Sequence, residues 1–252
     1  AVGVLVFLIL FILIRGVTNL SADLFAVEYT SENVSLLPAA FNTLTMTCIA
    51  LLVAAPLGIF AAIFLVEYAN HQGKVVGIIR ITAETLSGIP SIVYGLFGML
   101  FFSTALEWGY SMLSGAFTLA IMILPLIMRT AEEALVSVPL SYREASFGLG
   151  AGKLRTIFKI VLPAAVPGIL SGVILAVGRV VGETAALMFT AGTVAKYAGI
   201  MDSGRTLAVH MYVLSSEGLH IDKAYATAVV LLVMVFIING LSGLLAKKIA
   251  KN

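Results

Sequence analysis

Four ionisable residues of this sequence fall inside apolar stretches: Glu84, Arg129, Arg179 and Glu183. A charged side chain at the centre of a bilayer costs about 2.5–3.5 kcal/mol on insertion scales, so such residues usually face a bundle interior or a water-filled pathway. At 100° per residue, Gly168, Gly172, Arg179, Gly182, Glu183 and Ala186 cluster on one face of a single apolar segment. A face of glycine, alanine and two opposite charges packs against a neighbour rather than lipid, and it sets Arg179 and Glu183 one turn apart. Two readings are open for that pair. It can neutralise itself as an i,i+4 ion pair, although arginine before glutamate is the less favourable order. Alternatively, Arg179 joins Arg129 in offering fork-shaped donors to an oxyanion. Glu183 would then repel a fully ionised ligand and favour one that brings a proton. Phosphate at neutral pH does so; sulfate and molybdate do not. Arg129 is either a site residue or a side chain that snorkels to the headgroups. Glu84 either lines a cavity or pairs with Arg80, the pairing being the favoured reading.

The elements that must position these residues are membrane helices. The chain is 60% hydrophobic and 11% charged, with a mean hydropathy of +1.09, whereas a soluble domain carries about 25% charge. Spans of about 20 apolar residues are expected at 2–20, 41–66, 81–103, 116–135, 164–190 and 224–245. The result is an all-α integral membrane protein with six transmembrane helices. Pro56, Pro125 and the Gly88–Pro90 step predict kinks or breaks. Segments 21–40, 67–80, 107–114 and 191–223 read as loops, with Trp108 and Tyr110 suited to the interface. The domain division is 1–38 for the first span and its loop, 39–246 for the transmembrane domain, and 247–252 for a basic tail. Ala1 opens directly into an apolar run without a methionine, so the native start is expected upstream and no signal peptide is read.

Between the fourth and fifth spans, residues 139–163 read PLSYREASFGLGAGKLRTIFKIVLP. Ser141 followed by Glu144 is a capping-box pattern and predicts a short helix from Tyr142. Gly150 supplies the left-handed residue that ends it. Leu154, Ile157, Phe158 and Val161 then form one apolar stripe of a second helix. Two short helices beside a membrane make a docking surface.

With this loop in the cytoplasm, Lys74, Arg80, Arg129, Arg143, Lys153, Arg155, Lys159, Lys247, Lys248 and Lys251 lie inside, ten in all. Arg15, Lys196, Arg205 and Lys223, four in all, lie outside. Lysine and arginine accumulate on the cytoplasmic side, so the bias supports that placement and a cytoplasmic C-terminus. GLGAGK at 148–153 fails as a P-loop, because Phe147 and Leu154 occupy the positions that need glycine and serine or threonine. The single Cys48 and the scattered His71, His210 and His220 offer no disulfide framework and no local metal-ligand pair. No nucleophile–base arrangement and no nucleic-acid surface is read, so the chain is not expected to be an enzyme.

The 139–163 stretch resembles the EAA loop of bacterial ATP-binding-cassette importer permeases. Glu144, Ala145, Ser146, Gly150, Ile160, Leu162 and Pro163 fall at that spacing, with Ser146 replacing the second alanine. The stretches ETLSGIPSIVYGLFG, LPLIMRTAEEAL and GRVVGETAALMFTAG are similar to the permease pair of the phosphate importers, and TLAVHMYVLSSEG to its A-type member. The resemblance covers nearly the whole chain from Phe41 onwards. It implies a type I ABC importer permease with a cytoplasmic coupling-helix loop in the bacterial inner membrane, moving phosphate by alternating access. Arg129, Arg179 and Glu183 map onto positions implicated in substrate passage. It further implies a homologous second permease, two ATPase subunits that bind ATP and magnesium, and an external phosphate-binding protein, with no cofactor in this chain. Ser141, Glu144, Ala145, Ser146, Gly150, Leu162 and Pro163 would couple it to the ATPases. The alternatives are a permease for sulfate or molybdate, distinguished by Glu183 beside Arg179, and an ion-coupled secondary transporter built on broken helices. A membrane-bound enzyme would need ligands or a nucleophile that the sequence does not offer.

Overall fold

The computed structural model describes residues 2–69 and 73–249, with side chains up to residue 244. His71 and part of the expected 247–252 tail lie outside the described residues. In chain order the helices are α1 (Val2–Val17), α2 (Leu37–Ile63), α3 (Lys74–Ser87), α4 (Ser91–Gly98), α5 (Met112–Val136), α6 (Leu140–Gly148), α7 (Lys153–Thr156), α8 (Leu162–Val181), α9 (Ala185–Thr190), α10 (Leu207–Glu217) and α11 (Ile221–Ile249). A 3-10 turn covers Ala22–Phe25, and π-helical segments cover Phe64–Tyr68, Met99–Ala105 and Ile157–Val161.

Among the described residues, four stretches are long and apolar enough to span a bilayer: Leu37–Tyr68, Met112–Val136, Lys153–Val181 and Ile221–Leu244. A fifth is the pair Lys74–Ser87 and Ser91–Ala105, bent by 100°. The bend falls where sequence places Gly88 and Pro90, because proline cannot continue the hydrogen-bond ladder. The sixth apolar helix, α1, has 16 residues. Two segments expected as loops contain helices. Lys74 to Arg80 belong to α3, and 207–217 form α10.

The chain forms two compact units. Unit 1 comprises Ala1–Ala50, Pro90–Leu119 and Val180–Ile237. In it Gly95 packs so closely on Ala186 that a Cβ there would lie 2.8 Å from the Ala186 Cα, which fixes α4 against α9. The start of α5 is satisfied by chain returning from elsewhere: Ser111 N donates to Thr190 O at 3.0 Å and Met112 N to Asp202 O at 2.9 Å. Buried Asn42 donates to the carbonyls of Lys196 and Arg205 and accepts from Ala198 N, pinning segment 191–206. Trp108 stacks on Phe102 at 5.4 Å.

Unit 2 comprises Leu51–Ile89, Ala120–Arg179 and Ile238–Asn252. Its core gathers Ala62, Leu65, Val76, Ala131, Leu135, Ile157 and Val161. Here α8 lies against α5 through small residues: a Cβ on Gly168 would collide with Ala134, and one on Gly172 with Thr130. The expected close-packed glycine face is therefore present over 168–172.

Candidate functional site

The α3–α5 side of unit 2 holds a cavity of about 310 Å³ lined by Arg80, Ala83, Glu84, Arg129, Glu132 and Glu133 among others. Arg129 sits seven residues before the α5 terminus at Val136. Its Nε donates to Glu133 Oε1 at 3.2 Å, the i,i+4 neighbour, and its Nη1 lies 3.5 Å from Glu84 Oε1. All three side chains are more than half exposed, so solvent screening keeps each pair weak. Glu84 thus pairs with Arg129, not with Arg80 as the sequence favoured. Arg80 turns to Glu132, with Nε at 2.7 Å and Nη2 at 2.6 Å, and Glu132 is only 13% exposed. The more buried carboxylate takes the closer cation: half-buried Glu132 needs a partner more than exposed Glu84 does. Glu132 and Glu133 were missed as site residues, although their i,i+3 and i,i+4 spacing from Arg129 was readable.

Arg179 and Glu183 are not one turn apart on a continuous helix. The α8 helix ends at Val181, and the expected fifth span resumes only as α9. Glu183 lies in the break, where its Oε1 accepts from Ala186 N at 3.1 Å and Thr184 N at 3.2 Å. Its carboxylate caps the first turn of α9, a favourable position for negative charge. Arg179 belongs to unit 2 and Glu183 to unit 1; among the described residues Arg179 forms no ion pair.

The coupling-type loop departs from its expected local structure in two ways. Helix α6 begins at Leu140 with Pro139 as N-cap, and no side chain caps it, so Ser141 is inside the helix and the Ser141–Glu144 box does not form. Tyr142 N instead donates to Pro139 O at 3.1 Å. The expected apolar stripe also splits: Ile157 and Val161 are buried, whereas Leu154 and Phe158 are exposed. The buried edge of the stripe, Ile157 and Val161, bounds the π-helical segment Ile157–Val161. It lies just before Pro163, which has no N–H to give to a preceding turn. Gly150 behaves as expected. It adopts φ +79, with Ala151 N donating to Ser146 O and Gly150 N to Phe147 O, the paired bonds of a Schellman end.

Ser146 is buried and lies 2.8 Å from Thr156 Oγ1, so the residue that departs from the EAA pattern hydrogen-bonds the two arms of the loop. Arg143 donates to Glu67 Oε1 through Nε at 3.0 Å and Nη2 at 2.7 Å, and to the Val138 and Leu135 carbonyls. Lys153 Nζ sits 4.7 Å from the Tyr68 ring centroid. The π-helical end of α2 is thus the seat of the loop. Outward, Glu144, Ala145, Leu149 and Leu154 are exposed, a surface that no described residue of this chain covers.

Membrane-spanning helices, a broken span and a capped two-helix loop define a permease of the type I ABC importer architecture. Residues 54–251 match the family described as binding-protein-dependent transport system inner membrane component, and the chain belongs to that family. It is 34% identical over 273 residues to the probable ABC transporter permease protein YqgI of Bacillus subtilis, covering 99% of this chain and 92% of that one. It is 40% identical over 154 residues to the phosphate transport system permease protein PstA 1 of Mycobacterium tuberculosis, covering 61% of this chain and 50% of that protein. Among solved structures, the MetNI methionine ABC transporter in an inward-facing conformation superposes with a TM-score of 0.66 at 17% identity, over 96% of this chain and 97% of that one. An importer of the polysaccharide alginate gives 0.65 at 15% identity, over 98% and 94%. These two share the fold. The chain is an ABC importer permease subunit, an inner-membrane component.

Proposed function

We propose that this permease carries inorganic phosphate, driven by ATP hydrolysis in partner subunits. The observation that carries the reading is the 40% identity to a permease named for phosphate transport; the relative matched over the full chain is named only as a permease. The cavity chemistry is compatible with it. Arg129 is held by two weak, exposed carboxylate contacts, so an arriving oxyanion can take over its guanidinium fork by displacing Glu84 at 3.5 Å. Arg179 supplies a second guanidinium without an ion-pair partner among the described residues. Glu84 sets a carboxylate beside Arg129 that rejects fully ionised anions and tolerates one that still carries a proton, and the sequence assigns Glu183 the same selectivity.

On this reading the complex contains a second, homologous permease, two ATPase subunits that hold ATP and magnesium, and an external phosphate-binding protein. The ATPases engage the exposed face of α6, with Glu144, Ala145 and Gly150 at the contact, and the C-terminus is cytoplasmic. The test is anion competition against phosphate uptake by the assembled complex in membrane vesicles. Excess sulfate and molybdate leave uptake unchanged, and Glu183→Gln lets sulfate compete. Equal competition by sulfate in the unsubstituted protein would overturn the phosphate assignment.

A further inference from the structure

Unit 1 buries a second cationic cluster far in sequence from the Arg129 cavity. Arg205, the residue before the N-cap of α10, is 4% exposed, Thr206 is 2% and His210 is 0%. Among the described residues Arg205 Nε and Nη2, Thr206 Oγ1 and both ring nitrogens of His210 find no hydrogen-bond partner. None of the described ion pairs includes Arg205. The groups converge on one ring: the Arg205 Cζ lies 4.8 Å from the Tyr29 centroid, and His210 meets the same ring edge-on at 6.3 Å. Buried polar groups are nearly always satisfied, and each exception needs a physical explanation, of which a bound ion is one.

The backbone around the cluster is held in place. Arg205 N donates to Val194 O at 3.0 Å and its carbonyl accepts from Asn42. Leu207 N donates to Thr43 Oγ1 at 2.8 Å, and His210 N to Thr206 O at 2.8 Å. Tyr29 rides on a turn closed by reciprocal Thr30–Asn33 hydrogen bonds. These contacts preorganise the unfilled donors.

Nε and Nη2 form the edge of a guanidinium that accepts two oxygens side by side. A single water offers one oxygen to that edge and leaves a buried positive charge uncompensated, which is costly. An oxyanion meets both needs, and the N-terminus of the 11-residue α10 favours negative charge in the same place. The Thr206 hydroxyl adds a donor. A neutral imidazole has one donor and one acceptor nitrogen, so the cluster can also accept a hydrogen bond from an oxyanion that keeps a proton.

We propose that Arg205, Thr206 and His210 bind a small inorganic oxyanion, of which phosphate is the protonated representative at neutral pH, at a site separate from the Arg129 cavity. The site does not depend on what the permease transports, because binding is read without transport. The experiment is equilibrium binding of radiolabelled phosphate to the purified transporter complex without its external binding protein. Arg129→Gln and Arg179→Gln are present throughout, so the pathway arginines contribute nothing. One saturable phosphate site per chain is expected, weakened about tenfold or more by Arg205→Gln, the loss of a bidentate charged contact. Sulfate should compete less well than phosphate, and chloride at equal ionic strength should not compete. Should Arg205→Gln fail to assemble, Thr206→Val and His210→Gln carry the test, each weakening binding several-fold. Absence of saturable binding, binding unaltered by these substitutions, or displacement by chloride as effective as by phosphate would each overturn the proposal.

Discussion

Arg143 shows how a residue unremarkable in sequence becomes structurally decisive. It and Glu67 are 13% and 8% exposed, and Arg143 also closes the end of α5 through two carbonyls. Removing one partner of a buried pair leaves an uncompensated charge and costs roughly 3–5 kcal/mol. Arg143→Met should therefore lower the thermal unfolding midpoint of the purified protein strongly, and adding Glu67→Gln should restore part of the loss. Strictly additive losses would mean the pair is not coupled. Neither residue advertised this in the sequence, because 76 residues separate them and only the tertiary fold brings them together. The Arg129–Glu133 contact, by contrast, was legible as an i,i+4 spacing.

His210, which lies outside the spans, makes a pH-dependent contribution. Burial first, then the charge of Arg205, push its pKa down to about 3 from 6.5. The Val34 backbone carbonyl acts weakly the other way, without meeting either ring nitrogen at hydrogen-bond geometry. Its folded-state pKa is depressed, so as pH falls below about 6.5 the unfolded chain takes up a proton that the folded chain refuses. Stability should fall across the window from about pH 6.5 toward pH 3, by at most about 1.4 kcal/mol per pH unit from this group. Unfolding midpoints of His210→Gln measured across this window should decline less steeply than those of the unsubstituted chain; identical slopes would remove His210 as the cause.

Among the elements, spans and breaks were the most legible, since hydropathy and the Gly88–Pro90 step report directly on them. The π-helical segments were not, because an inserted residue shifts the register without changing composition. Two of these turns frame the coupling-type loop, Phe64–Tyr68 beneath it and Ile157–Val161 behind it. The capping-box pattern misled because Pro139 starts α6 two residues earlier than the box would. Gly150 was legible because a helix end needs a left-handed residue there. A Cβ on Gly150 meets nothing within 4 Å, so Gly150→Ala tests backbone strain alone. It should cost about 1–2 kcal/mol, whereas Gly148→Ala, inside α6 and equally open, should be neutral or slightly stabilising. Chemical denaturation of both variants compares them directly. Equal costs would mean the Schellman end is not what shapes the loop.

For the whole molecule, family membership and helical architecture agree on an importer permease subunit, and the proposed drive by partner ATPases gives the exposed face of the 139–163 loop its use. An ion-coupled transporter would need no such loop and would work alone. The proposed anion path was only half legible: Arg129 and Arg179 stood out as charges in apolar stretches, whereas the carboxylate partners of Arg129 and the end of α8 before Glu183 emerged only from the fold. The most direct measurement is the initial rate of phosphate uptake into vesicles containing the reassembled complex, with ATP or with a non-hydrolysable analogue, for the unsubstituted chain and Arg179→Ala. Uptake that requires hydrolysable ATP and the full set of subunits, and falls about tenfold or more in Arg179→Ala, is the predicted result. Phosphate uptake by the isolated chain without nucleotide, or no phosphate uptake by the complete complex, would contradict it.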